Sequence, residues 1–176
     1  MLVGLLLAAG GAVGGERLAA DGLGGPQARS ELAAWASEDL AVDGGRVRIA
    51  PALRVDRVGP YAGVSGKLGS TVRLLGPLSA RASAGRSFRA PSFGELYLQQ
   101  GLLEPNPSLR PEEAWSADAA LVAEGALGFA SAGAFATLYR DLIVYEAGSF
   151  QRLKPFNDGK ALARGVELEV GSVPIR

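Results

Sequence analysis

S-F-R-A-P-S-F-G-E-L-Y-L-Q-Q-G-L-L-E-P-N-P-S-L-R-P-E-E-A-W, Ser87 to Trp115, holds four of the chain's ten prolines and interrupts a regular succession of short alternating segments. Pro91, Pro105, Pro107 and Pro111 fix φ and cannot donate to a sheet ladder, so neither a central strand nor a continuous helix runs through this stretch. Phe88, Phe93, Leu96, Tyr97, Leu98, Leu102, Leu103 and Leu109 give it more apolar side chains than a solvated linker carries. It reads as a long, ordered loop whose apolar groups pack on their own scaffold.

On either side of the loop, apolar and polar residues alternate with period two. Arg46 to Asp56 puts Val47, Ile49, Leu53 and Val55 on one face and Arg46, Arg48, Arg54 and Asp56 on the other. Leu78 to Ala84, Trp115 to Ala119 and Val166 to Val170 repeat the pattern. Gln27 to Leu40 and Phe129 to Ile143 also fit amphipathic helices, but a meander of strands does not readily admit a helix between two of its members, so both are read as strands. Turn signals at 21–26, 42–45, 57–60, 75–77 and 125–128, with long connections at 87–114 and 146–159, divide the chain into about eight strands. The predicted fold is an all-β, antiparallel up-and-down meander. A soluble sandwich shares this spacing and is the alternative for the strands taken alone.

Composition narrows the function. The 176 residues could build one domain with its own core, and 18 basic residues balance 18 acidic ones. Scattered basic residues without excess charge give no footprint of a nucleic-acid binder. The chain has no Cys and no His, which removes the usual zinc sites, Cys nucleophiles and every Ser-His or Cys-His pair. Met1 to Val13 is apolar but lacks a basic segment before it, and it is too short and too glycine-rich for a membrane helix, so it reads as a strand.

F-R-A-P-S-F-x-E-L-Y at Phe88 to Tyr97, N-P-x-L-x-P-E at Asn106 to Glu112 and the aromatic Trp115 together resemble the signature of TonB-dependent outer-membrane receptors. Y-R-D-L-I at Tyr139 to Ile143 and N-D-G-K-A-L-A-R-G-V-E-L-E at Asn157 to Glu169 are similar to further runs of that family. The resemblance implies a barrel of 22 strands around an N-terminal plug, importing metal-siderophore complexes, cobalamin or similar scarce nutrients with energy passed through TonB. Eight strands are too few for that barrel. The sequence has no plug-like segment, and its end, V-G-S-V-P-I-R, is unlike the aromatic-terminated last strand of such barrels. The expectation is that residues 1–176 are a partial receptor barrel domain, an open curved portion lying in the outer membrane of a Gram-negative cell, with long outer loops at 87–114 and 146–159. Its expected partners are outer-membrane lipid, the missing plug and barrel strands, the TonB complex through that plug, and a small-molecule or metal-chelate ligand. The alternative is a self-contained eight-stranded barrel with a binding or structural role.

No catalytic, metal-binding or cofactor-binding residue is assigned, and the substrate-contacting residues are unknown. Glu112–Glu113 and the pair Glu167 and Glu169 could suggest a soluble carbohydrate-active enzyme. Side chains two apart on a strand point the same way, whereas a glycosidase needs carboxyls on opposite sides of the sugar, so solvation on a polar face is the better reading. Gly63 to Lys67 lacks phosphate-loop spacing, and Asn106-Pro107-Ser108 fails as a glycosylation acceptor because of its proline. Aromatics at Trp35, Tyr61, Tyr97, Trp115, Tyr139 and Tyr145 suit interfacial girdles where they fall at strand ends, with core packing an equal alternative for Trp35. Arg89 and Glu95 flank Pro91 and read as a buried pair bracing the loop.

Overall fold

The computed structural model describes residues 2–148 and 151–172. Eight strands follow in chain order: β1 (Leu2–Leu18), β2 (Gln27–Val42), β3 (Val47–Val58), β4 (Tyr61–Arg73), β5 (Leu78–Arg89), β6 (Glu112–Gly125), β7 (Gly128–Ala147) and β8 (Leu153–Ser172). Each pairs antiparallel with the next, giving one sheet ordered β1 to β8. Among the described residues β1 and β8 do not pair with each other, so the sheet is open and the closed eight-stranded barrel does not hold. The two segments with helix-compatible spacing are both strands, because ladder partners on each side satisfy their backbone groups.

The connections fall alternately at the two ends of the sheet. One end of the sheet carries the tight links at 43–46, 74–77 and 126–127; the other carries 19–26, 59–60, 90–111 and 148–152. The central loop is shorter than 87–114, since β5 runs to Arg89 and β6 begins at Glu112. It also contains a short helix, α1 (Phe93–Tyr97). The second long loop expected at 146–159 is replaced by strand: Glu146 pairs with Lys154, Tyr145 with Pro155, Val144 with Phe156 and Ile143 with Asn157. Pro155 is tolerated because its backbone, like that of Leu153 two residues before it, faces the central loop and not β7: its carbonyl accepts from Asn106 Nδ2, so the missing N–H costs the β7–β8 ladder no bond. Gly159 is there for space, since a Cβ would meet Leu142 Cβ at 2.6 Å, next to the register shift at Leu142. Ser149 and Phe150, within that connection, lie outside the described residues, as do Met1 and the V-P-I-R ending, Val173 to Arg176.

Register assigns the faces. Leu53 on β3 and Val64 and Leu68 on β4 share a face with Trp115 on β6, Leu138 on β7 and Leu162 on β8. This face is apolar from β1 to β8 and exposed, with Val13 at 84% and Val170 at 84%. The opposite face carries Arg54, Asp56, Ser65, Lys67, Asp118 and Glu167. Three aromatics on this polar face lie over glycines directly across the ladder: Trp35 over Gly10, Phe135 over Gly165 and Phe129 over Gly171. Trp35 is therefore neither a girdle residue nor a core residue; it covers a backbone that has no side chain of its own. Pro51 sits inside β3, and the β2–β3 ladder is interrupted there: Pro51 and its neighbour Ala50 do not pair with Glu38 and Asp39 opposite them.

A central core, which the chain length would permit, is not what the strands build. Among the described residues the buried apolar side chains are Leu23, Phe93, Leu96, Leu109 and Val122, and the fully buried prolines are Pro91 and Pro155. Most of these belong to the central loop or to what it touches. A soluble sandwich would bury one whole face of its sheet, whereas this sheet leaves its apolar face uncovered.

Candidate functional site

The central loop, 90–111, is a strap laid across the loop end of the sheet and tied at both ends. Ser92 starts α1 with a capping box: its Oγ accepts from Glu95 N at 3.3 Å while its own N–H donates to Glu95 Oε2 at 2.7 Å. Phe93 and Leu96 on the helix, and Leu109 further on, turn inward and are buried, each contributing roughly 1.5–3 kcal/mol.

One tie runs to β1 and β2. The Arg29 guanidinium donates from Nη1 to Pro91 O at 2.7 Å and from Nε to Glu16 Oε2 at 2.8 Å, and it lies 4.7 Å from the centre of the Phe93 ring. Gln99 N donates to Gly22 O at 2.7 Å. Gly22 has φ +86, and a Cβ there would strike Gln99 O, so both its backbone and its space call for glycine. The other tie runs to β7 and β8. Glu104 N donates to Leu153 O at 2.9 Å and Leu153 N donates to Leu102 O at 2.8 Å. Asn106 Nδ2 donates to Pro155 O at 2.8 Å. Asn157 accepts from Arg110 N at 2.7 Å and donates to both Arg110 O and Asp141 O at 2.8 Å.

Arg89 holds the middle. Its two terminal nitrogens donate to the two Glu95 oxygens at 3.2 and 3.0 Å, and its Nε donates to Glu112. Glu112 also accepts from Ile143 N at 2.7 Å, so one carboxylate joins β5 to β7. Partial burial raises the Glu95 pKa, but the bonds from Arg89 and Ser92 outweigh it and hold the carboxyl below its usual range.

The residues singled out in the sequence fall into distinct places. Arg89 and Glu95 do form the expected bracing pair, although Arg89 is half exposed rather than buried. Glu112 and Glu113 are engaged rather than merely solvated: Glu112 by Arg89, Glu113 by Arg86. As neighbours on a strand they point to opposite faces, which removes any shared acid-base geometry. Glu167 and Glu169 lie on the polar face of β8. Gly63 to Lys67 is plain strand in β4, with the Phe88 ring packed where a Gly63 Cβ would be. Trp115 stands on the apolar face, whereas Tyr139 shares the polar face with Phe135 and Thr137. Tyr97 packs on Phe93 in the strap, with ring centres 6.2 Å apart. A cavity of about 360 Å³ opens between the strap and the short β3–β4 turn, lined by Gln27, Arg29, Arg57, Tyr61, Phe93 and Tyr97. Among the described residues no three His, Cys, Asp or Glu side chains gather closely enough to hold a metal ion.

Arg29 and Asn157, which tie the strap at its two ends, were not distinguishable in the sequence as ties. Their partners are backbone carbonyls and amides 62 and 47 residues away, and nothing local marks them.

This architecture has known counterparts. The chain matches the family model described as "TonB dependent receptor-like, beta-barrel" over residues 10–173. It is 30% identical over 124 residues to the vitamin B12 transporter BtuB of Vibrio vulnificus, covering 70% of this chain and 19% of that protein. It is 32% identical over 105 residues to a probable hemoglobin and hemoglobin-haptoglobin-binding protein of Haemophilus influenzae, covering 57% of this chain and 10% of that one. The fold superposes on the siderophore receptor PirA of Pseudomonas aeruginosa with a TM-score of 0.84 at 20% identity, covering 94% of this chain and 33% of the receptor. It also superposes on the Serratia marcescens hemophore receptor HasR, solved with its hemophore HasA and heme, with a TM-score of 0.78 at 15% identity, covering 97% of this chain and 40% of that one. The chain thus spans a minor part of the length of each relative.

Proposed function

The chain belongs to the TonB-dependent receptor β-barrel family, whose members are outer-membrane receptors and not enzymes, and from this membership we propose that its eight strands form part of the wall of a nutrient receptor. In this reading residues 1–176 are one partial barrel domain in a Gram-negative outer membrane, with the strap end outside the cell and the tight turns in the periplasm. The receptor takes up a scarce nutrient, a metal-siderophore, cobalamin or a heme-type compound. Further barrel strands of the same receptor pair with β1 and β8, because unpaired backbone at either edge is not tolerated in hydrocarbon. A plug domain inside the barrel couples the receptor to TonB, and the eight strands do not transport alone.

The observation that carries this reading is the pairing of an exposed apolar face with a tied strap. A sheet that leaves its apolar face uncovered along its length, yet builds a packed and hydrogen-bonded loop at one end, is organised for a hydrocarbon solvent along its wall and an ordered surface at its mouth. The test is uptake by cells that make the whole receptor to which these strands belong, supplied separately with labelled cobalamin, a ferric siderophore and heme. Uptake of one of the three is expected, abolished by dissipating the proton-motive force and by replacing 92–110 with a short glycine-serine link. Uptake of none of them, with the protein present in the outer-membrane fraction, would reject the transport reading.

A further inference from the structure

Toward the strap end, the apolar face stops at a belt of positive charge. The outward run on β3 passes from Leu53 and Val55 to Arg57, that on β5 from Ala82 and Ala84 to Arg86, and that on β7 from Ala136 and Leu138 to Arg140. On β8 the outward positions are Lys160, Leu162, Arg164 and Val166. The cross-strand register sets Arg86, Trp115, Leu138 and Leu162 in one row. Arg140 lies one row nearer the strap, opposite Glu113, and Arg164 one row nearer the turns, opposite Ala136. At the turn end the same face finishes on Val42, Val47, Val72 and Leu78, with no such belt.

The cations of the belt differ in what they hold. Arg86 is engaged: it pairs with Glu113, donates to Val64 O at 2.6 Å and lies 5.7 Å from the centre of the Trp115 ring. Glu113 is the carboxylate of these rows, and Arg86 takes it. Among the described residues Arg140, Lys160 and Arg164 make no ion pair and no side-chain hydrogen bond. Arg140 and Arg164 flank the Leu138–Leu162 pair on a face that is continuous with Val166 and Leu168, which are 79% and 81% exposed.

A guanidinium beside hydrocarbon must reach a polar phase or an anion, and its planar fork matches phosphate oxygens two at a time. A tryptophan in the same row marks the depth at which amphipathic rings settle, between acyl chains and headgroups. We propose that Arg140 and Arg164, with Lys160 and the Arg86–Trp115 pair beside them, bind an anionic phosphate-bearing lipid headgroup in the membrane leaflet on the strap side. The occupant is a lipid because the cations are set into an apolar surface that acyl chains would cover, whereas a soluble acidic partner would leave Leu162, Val166 and Leu168 in water. The proposal rests on the membrane-spanning reading above.

The test uses the whole protein, extracted in mild detergent from the membranes in which it is made and exchanged into equal amounts of phosphatidylglycerol and phosphatidylcholine with the same acyl chains. Native mass spectrometry then counts the retained lipids. A preference of about fivefold or more for phosphatidylglycerol is expected at low salt, falling toward parity in Arg140→Gln/Arg164→Gln and unchanged in Glu38→Gln, which lies on the same face nearer the turns. The unaltered protein gives a second reading: its preference should shrink as salt rises from about 0.05 to about 1 M. Equal retention of both lipids at low salt, or a preference indifferent to both the double substitution and salt, would overturn the proposal and leave the membrane reading standing. Loss of the preference on adding millimolar inorganic phosphate would mark a site for free anions and overturn the lipid assignment. Absence of the protein from the membrane fraction would overturn the membrane reading itself, and the proposal with it.

Discussion

Replacing Arg29 with Ala should release one end of the strap and leave the sheet intact. The side chain is only 13% exposed, and its Nη1 supplies the hydrogen bond to Pro91 O, on a proline that is fully buried. Losing a charged donor to a buried acceptor costs about 1.5–3 kcal/mol. The contact with the Phe93 ring, partly desolvated, adds about 1 kcal/mol. Glu16 is 43% exposed and returns to water at little cost. The sum, about 2.5–4 kcal/mol, should raise the open population of the strap by roughly 70- to 1000-fold. Arg29→Lys should fall between, because one ammonium cannot serve Glu16, Pro91 O and the ring together. Hydrogen exchange of the protein in micelles reads this directly. The amides of Leu96, Leu98 and Gln99, bonded to Ser92 O, Gly94 O and Gly22 O, should exchange faster by that factor, with mid-sheet amides of β5 unchanged. Unchanged protection at those three amides would refute the tie, and equal acceleration across the sheet would show that Arg29 supports the strands instead.

Other outcomes follow from the same geometry. Because the Glu95 carboxyl is held below its usual range, its contribution is fully present above the unfolded value of about 4.5 and is lost as pH falls through the lower folded value; strap protection should be flat from pH 8 to pH 5, decline below that, and lose the decline in Glu95→Gln. Gly10→Ala should lower the denaturant midpoint by the equivalent of about 1–3 kcal/mol, since the new methyl meets the Trp35 ring, whereas Gly14→Ala, whose Cβ has nothing nearer than 3.9 Å, should be close to neutral. Leu68→Arg, in the middle of the apolar face, should cost about 2–4 kcal/mol of folding in vesicles, and Ser65→Arg, on the polar face of the same strand, nearly nothing. Equal effects for that last pair, measured by unfolding in the same vesicles, would contradict the assignment of faces.

Period-two alternation was enough to read the strands of β3, β5, β6 and β8, because one solvent per face writes its preference into every second residue. It was ambiguous for β2 and β7, where alanine satisfies either period, and there the meander decided. The strap was legible as a loop from its prolines, but its ends were misplaced, since Arg89 and Glu112 carry no turn signal and pair across the ladder. The excess loop at 146–159 has the opposite cause. Pro155, Asn157 and Gly159 are turn residues by type, yet each serves β8 in a way that local sequence does not record: Pro155 with its carbonyl turned to Asn106 of the strap, Asn157 as the clamp on Arg110, Gly159 to make room for Leu142. For the site, the capping box and the Arg89–Glu95 pair are three and six residues apart and could be anticipated. The ties through Arg29 and Asn157 span dozens of residues and depend on the curvature of the finished sheet.

The placement of the buried side chains explains why the family signature sits where it does. Each hairpin of the sheet can form from neighbours in sequence, but nothing in a ladder of nearest pairs fixes how far apart β1 and β8 stand. The strap supplies that distance. It is tied to β2 by Arg29, to β5 and β6 by Arg89, Glu95 and Glu112, and to β8 by Asn106 and Asn157. Ser92, Glu95, Asn106, Glu112 and Asn157 all belong to the stretches that resemble the receptor signature; four of them bond within the strap or to it, and Glu112 holds Arg89, the partner of Glu95. The signature residues therefore act as structure: they hold the mouth of the wall at one curvature. Residues that select a ligand are then to be sought among exposed side chains the strap carries without using, such as Gln100 and Leu102, and in the cavity between Tyr61 and Tyr97.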